Sequence, residues 1–185
     1  PQLVEGSAPG GELRPGLLAD WGLQGPVVVA GGAGDNAASA IGMGMVQEGQ
    51  AFVSLGTSGV VFAANDAFRP LPESAVHAFC HALPGRWHQM GVILSATDAL
   101  NWYAGITGLS AADLSRELGE ELVAPGSVTF LPYLSGERTP HNDAKIRGAF
   151  IGLGHEADRK ALTRAVMEGV AFALADNLLA LREAG

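Results

Sequence analysis

Apolar positions along the chain recur with two periods. Short β-branched or alternating runs predict strands at 27–30, 51–55, 60–63, 76–83, 86–94, 128–131 and 149–153. Gly56-Thr57-Ser58-Gly59 and Pro84-Gly85 turn two of these pairs into hairpins. Helical spacing appears at about 35–46, at 110–122 and, over the longest stretch, at 158–184, where Leu162, Val166, Val170, Leu174, Leu178 and Leu181 form one apolar stripe. Ser95-Ala96-Thr97-Asp98 reads as a capping box opening a helix through Ala104. A short helix at 15–21 stands among turn signals, Gly10-Gly11 and Gly25-Pro26, so residues 3–26 read as connecting structure. A polar loop runs from Ser135 to Asp143. Hairpins followed by helices predict an α/β fold, a mixed sheet packed with helices.

One turn in this pattern carries a reactive group. Gly31-Gly32-Ala33-Gly34-Asp35-Asn36 joins the strand at 27–30 to the helix that follows. Strand, glycine turn and helix place the Asp35 carboxylate at a helix start, beside backbone that a ligand can approach closely. The positive end of the helix favours a carboxylate there. By spacing alone an aspartate in this place is most often a helix cap. The same turn also matches G-x-G-x-x-A, but the acidic residue a dinucleotide site needs about 20 positions later is absent, since the next strand ends in Ser54-Leu55-Gly56. Leu55-Gly56-Thr57-Ser58-Gly59 is a second candidate, because glycines expose backbone N–H groups to an anion and a hydroxyl adds a donor. An ordinary hairpin turn needs the same glycines. No G-x-x-x-x-G-K-[ST] occurs.

Composition narrows the partners. The 185 residues are 48% hydrophobic and carry a net charge of −8, with only Lys145 and Lys160 as lysines. That argues against a nucleic-acid partner, which needs clustered cations. No apolar stretch approaches the roughly 18 residues of a membrane span, and no signal peptide opens the chain. With Cys80 as the only cysteine no internal disulfide forms, so a reducing, cytoplasmic setting is expected. His77, Cys80, His81 and His88 match no zinc spacing, and strand alternation sends Cys80 and His81 to opposite faces, so no metal site is assigned. Glu137 and Arg138 are expected to order their loop, and Trp87, Trp102 and Tyr103 to lie in the core.

Four segments in order resemble the FGGY family of carbohydrate kinases. They are Ala30 through Ala38, Ser54 through Val60, Ser74 through Pro84 and Leu131 through Pro140, and the resemblance extends over essentially the whole chain. A further family signature runs from Gly148 through Gly152-Leu153 to Glu168, with Ala161 where a polar residue is usual. The resemblance implies an actin-like ATPase (ribonuclease H-like) fold in which two domains close over a sugar and ATP. Residues 1–47 would end the first domain and 48–185 would form part of the second. The missing remainder of the chain would supply the first phosphate loop, most of the sugar pocket and the adenosine loop, so this piece alone is expected to be inactive.

The resemblance also assigns roles. Asp35 would be the catalytic base that accepts the proton of the attacking sugar hydroxyl, which reverses the cap reading, and Asn36 would bind the sugar. Gly56 and Thr57 would form the second phosphate turn, and Thr97 and Asn101 would face nucleotide. ATP and Mg²⁺ are the implied cofactors, because phosphoryl transfer rests on positioning and on neutralising phosphate charge. The implied reaction is phosphorylation of D-xylulose at its terminal hydroxyl in pentose catabolism. Ribulose, gluconate and glycerol are alternative substrates, and a non-catalytic sugar- or nucleotide-binding module is an alternative of another class. Residues 77–84 favour xylulose. A homodimer is the commonest assembly of soluble homo-oligomers.

Overall fold

The computed structural model describes residues 2–185. In chain order the elements are β1 (Pro9–Glu12), α1 (Pro15–Asp20), β2 (Val28–Ala30), α2 (Asp35–Gly42), β3 (Ala51–Leu55), β4 (Gly59–Asn65), β5 (His77–Cys80), β6 (Trp87–Ile93), α3 (Thr97–Thr107), α4 (Ala111–Leu118), β7 (Thr129–Leu131), β8 (Ala149–Ile151) and α5 (Arg159–Ala184). The strands form three sheets: β1–β2, a four-stranded sheet in the order β3–β4–β6–β5, and β7–β8. The chain divides into two compact units. Among the described residues no helix is long and apolar enough to cross a membrane.

The first unit comprises the chain up to Phe52 with Ala63–Phe68 and Ala78–His88. Here β1 pairs antiparallel with β2, with a register shift between Pro9 and Gly11. The sequence pattern predicts connecting structure at β1, because Pro9, Gly10 and Gly11 carry no strand propensity; pairing with β2 overrides it. The helix after Asp35 is shorter than expected. It ends at Gly42, and Gly44 with φ of 72° turns the chain left-handed just beyond. Close approach explains two other glycines: a Cβ on Gly6 would strike the carbonyl oxygens of Gly32 and Ala82, and one on Gly31 that of Glu5.

The second unit comprises Val53–Phe62, Arg69–His77 and Gln89–Gly185. Its core joins Ala99, Tyr103 and Ala104 of α3, Leu114 of α4, Phe130 of β7, and Ala165 and Val166 of α5. The helix starts follow capping chemistry. Ser110 Oγ accepts from the Asp113 N–H at 3.1 Å and Asp158 Oδ1 from the Ala161 N–H at 2.8 Å. α4 stops at Leu118, short of the expected end, where Gly119 takes φ of 81°.

The stripe on α5 is only partly core. Val166 and Leu181 are buried, whereas Leu178 is 38% exposed. The i, i+4 series drifts because each four-residue step turns about 40° past a full turn. Other residues that stay inside, Gly169, Ala173, Asn177 and Ala180, follow Val166 by a mixture of three- and four-residue steps. Of the three aromatics expected in the core, Tyr103 is buried at 4% exposure and Trp87 half-buried. Trp102 is 39% exposed and stacks on Phe130, the centroids 5.8 Å apart. It flanks the core rather than entering it.

Candidate functional site

The sequence-derived candidates fall into two groups, Asp35 and Asn36 in the first unit and Gly56, Thr57, Thr97 and Asn101 in the second. Asp35 is the first residue of α2, and the extended residue before the helix is Gly34, which has no side chain to cap with. Asp35 is exposed; its Oδ1 accepts from the backbone N–H of Asn36 at 2.8 Å and lies 3.4 Å from Asn36 Nδ2. The carboxylate therefore sits one position inside the helix on its positive end, oriented by its neighbour and open to solvent. Behind the glycine turn lies an open cleft of about 520 Å³ lined by Glu5, Gly6, Gly32, Gly34, Cys80 and His81, among others. His81 forms a fixed wall of it. Nδ1 accepts from the Leu83 N–H at 3.3 Å, which leaves Nε2 as the donor to the Met45 carbonyl at 3.1 Å.

In the second unit the structure brings Gly56, Thr57 and Thr97 into direct contact. The expected capping box fails, since α3 is entered through Ala96 with no side-chain cap. The first N–H groups of α3 need acceptors all the same, and the hairpin turn supplies them. Thr97 N–H donates to the Gly56 carbonyl at 3.0 Å, Ala96 N–H to the Thr57 carbonyl at 2.8 Å and Asp98 N–H to the same carbonyl at 3.4 Å. Thr97 Oγ1 adds a bond to the Gly56 carbonyl at 2.7 Å. The turn is thus stapled by its carbonyls to a helix start. Its edge remains exposed, as do Gly56, Thr57, Ser58 and Thr97. Asn101 follows Thr97 by four residues on the same exposed helix face. Beside the turn, an apolar cleft of about 230 Å³ runs between α3 and α5, lined by Leu55, Thr97, Leu100, Val166, Val170 and Leu174 among others.

Glu137, expected to order its loop, is 3% exposed, and its Oε1 accepts from the N–H groups of Leu94 at 2.9 Å and Arg138 at 2.7 Å. Burial pushes the Glu137 carboxyl above the usual range, with the two N–H bonds and the nearby His141 and Arg138 acting against it. The sequence held one clue: a carboxylate next to Gly136, followed by Arg138 and the Thr139-Pro140 pair.

The histidines do not gather into a metal site. Among the described residues no group of three or more His, Cys, Asp or Glu could hold an ion. Mg²⁺ does not require such a cluster, being held typically by one or two carboxylates together with substrate phosphates and water. His88 is buried, and this burial, with His81 nearby, lowers its pKa to about 4. A histidine depressed in the folded state adds stability above its unfolded pKa near 6.5, and that stability is lost as pH falls toward 4. Urea unfolding should therefore show a difference between wild type and His88→Gln that shrinks by at most about 3 kcal/mol across that window. Parallel pH profiles for the two proteins would rule this out.

Comparison with known proteins places this geometry in context. The family described as "FGGY family of carbohydrate kinases, C-terminal domain" matches residues 51–185. The xylulose kinases of Klebsiella pneumoniae and Escherichia coli (strain K12) are 51% and 54% identical over 181 residues, which is 96% of this chain and 37% of each relative. The crystal structure of a xyloylose kinase from Brucella ovis superposes with a TM-score of 0.97 at 73% identity, covering all of this chain and 38% of that one. The chain thus spans 37% of the length of the curated relatives first matched.

Proposed function

The chain belongs to the FGGY family of carbohydrate kinases, and from that premise we propose that it is part of an ATP-dependent kinase converting D-xylulose to D-xylulose 5-phosphate in pentose catabolism. Its fold is the actin-like ATPase fold of the kinases it superposes on. Residues 1–47 end the first of two domains and residues 48–185 form part of the second; the remainder of the chain completes the sugar and adenosine sites. The observation that carries this reading is the exposed carboxylate of Asp35, oriented by Asn36 at the start of α2.

In the reaction, Asp35 accepts the proton of the sugar's terminal hydroxyl as that oxygen attacks the γ-phosphorus. The bond to the bridging oxygen breaks and ADP leaves. Asn36 hydrogen-bonds the sugar and keeps the attacking hydroxyl in line. The Gly56–Thr57 turn meets the nucleotide phosphates through the N–H and hydroxyl of Thr57, the Gly56 N–H being held by the Ser58 carbonyl at 3.0 Å, and Thr97 and Asn101 face nucleotide from α3. Mg²⁺, when bound on the phosphates, neutralises their charge. Positioning and electrostatics supply most of the rate in such transfers. Thr57→Val should raise the KM for ATP by about tenfold, a lost charge-assisted bond, with little change in kcat. An unaltered nucleotide affinity would count against the phosphate turn.

The function is tested by ADP release from the full-length protein with Mg-ATP across ketoses, aldonates and polyols. Turnover highest with D-xylulose is expected. Turnover highest with ribulose, gluconate or glycerol would keep the kinase and discard the substrate. Binding of sugar and nucleotide with no turnover would leave a non-catalytic module.

A further inference from the structure

The loop after β7 clamps the end of β6. Thr139 pairs with Val92 twice, its N–H to the Val92 carbonyl at 3.0 Å and its Oγ1 accepting from the Val92 N–H at 3.1 Å, while the same hydroxyl donates to Ala75 at 3.0 Å. Asn177 Nδ2, from α5, holds the Thr139 carbonyl at 3.0 Å. Glu137 is braced by two 2.9 Å backbone bonds with Asp143. Its side chain then takes the N–H of Leu94, one residue past the end of β6.

That one peptide connects Glu137 to the turn at Gly56. The Leu94 carbonyl accepts from Ser58 Oγ at 3.2 Å, and the next residues, Ala96 and Thr97, hold the carbonyls of Thr57 and Gly56. The chemistry of the clamp is uneconomical as pure scaffolding. Glu137 Oε2 is buried without a hydrogen-bond partner among the described residues. A buried carboxylate so placed costs free energy, and an amide oxygen would accept the same two N–H groups without the charge. What the charge adds is strength in those bonds.

We propose that Glu137 is a positioning residue for phosphoryl transfer, its carboxylate holding the Leu94 peptide and through it the Gly56–Thr57 turn in the orientation that receives the nucleotide phosphates. This rests on the reading of that turn as a phosphate site. The titratable groups that interact with Glu137 are Arg138 and His141 of its own loop and Tyr133 at the start of that loop; β6 presents the Leu94 N–H.

The experiment measures dissociation constants of Mg-ADP and, separately, of D-xylulose, for the full-length wild type, E137A, E137Q and T57V, together with thermal stability. E137A should weaken Mg-ADP at least about tenfold and leave sugar binding within twofold. E137Q, which keeps an acceptor for Leu94, should recover most of that loss, staying about threefold weaker than wild type, with equal or higher thermal stability. Wild type should also lose Mg-ADP affinity on the acid side as Glu137 protonates, and E137Q should lose less. Equal nucleotide affinity in wild type and E137Q at every pH overturns the proposal, as does sugar and nucleotide affinity falling together with stability. If T57V weakens Mg-ADP and neither Glu137 variant does, only the positioning role fails; if no variant changes it, the phosphate-turn reading fails first.

Discussion

Asp35→Asn in the full-length protein should lower kcat at least about a hundredfold, the scale of a lost general base, while sugar and ATP binding change little. The substitution keeps the size of the side chain and an oxygen that can still accept from the Asn36 N–H, the bond that orients Asp35 at 2.8 Å. It removes only the capacity to take a proton. An amide at the first position of an eight-residue helix loses a favourable charge–dipole term of at most about 1 kcal/mol, so loss of fold cannot mimic loss of catalysis. Single-turnover measurements separate the chemical step from product release. Turnover within threefold of wild type would remove Asp35 from the role of base.

Gly169→Ala should destabilise the second unit by about 2–3 kcal/mol, although alanine is the better helix former by about 1 kcal/mol. A Cβ on Gly169 would fall well inside contact distance of the Phe130 carbonyl oxygen, with Phe130 Cδ1 3.2 Å away. Neither side yields easily. Phe130 is buried and its ring packs on Phe150, the centroids 4.7 Å apart, and α5 is a continuous 26-residue helix. Gly105→Ala is the contrasting case, since that glycine lies in α3 with nothing within 4 Å of the added Cβ. There the propensity gain stands alone, about 0.5–1 kcal/mol of added stability. Denaturant unfolding of both variants decides the matter: a Gly169→Ala protein as stable as wild type would mean that α5 shifts freely on β7.

The same contrast marks what could be read in advance. The hairpin at 51–65 and the long last helix were legible because their periodic runs are long and their turns carry glycine. Helix ends were misplaced at Gly42 and Leu118, since a left-handed glycine stops a helix abruptly where an apolar pattern continues. β1 was invisible, as a strand made of Pro9, Gly10 and Gly11 exists only by pairing with β2. The capping box at 95–98 was a true match to a pattern and a false one to the structure, because the carbonyls of Gly56 and Thr57 reached the helix start from 40 residues upstream.

Local order along the chain therefore determined the alternation of strands and helices, the placement of Asp35 at a helix start and the glycine turn at 56–59, all of which depend on residues within a few positions of one another. Family likeness was legible on the same footing, from four ordered segments. Only the tertiary structure decided which carbonyls cap α3, which face of α5 is buried and that Glu137 lies under the Leu94 peptide rather than in a solvent-facing loop. Those outcomes turn on contacts between residues far apart in sequence, where no propensity or spacing carries information and only packing, with the need to pair every buried N–H, selects the partner.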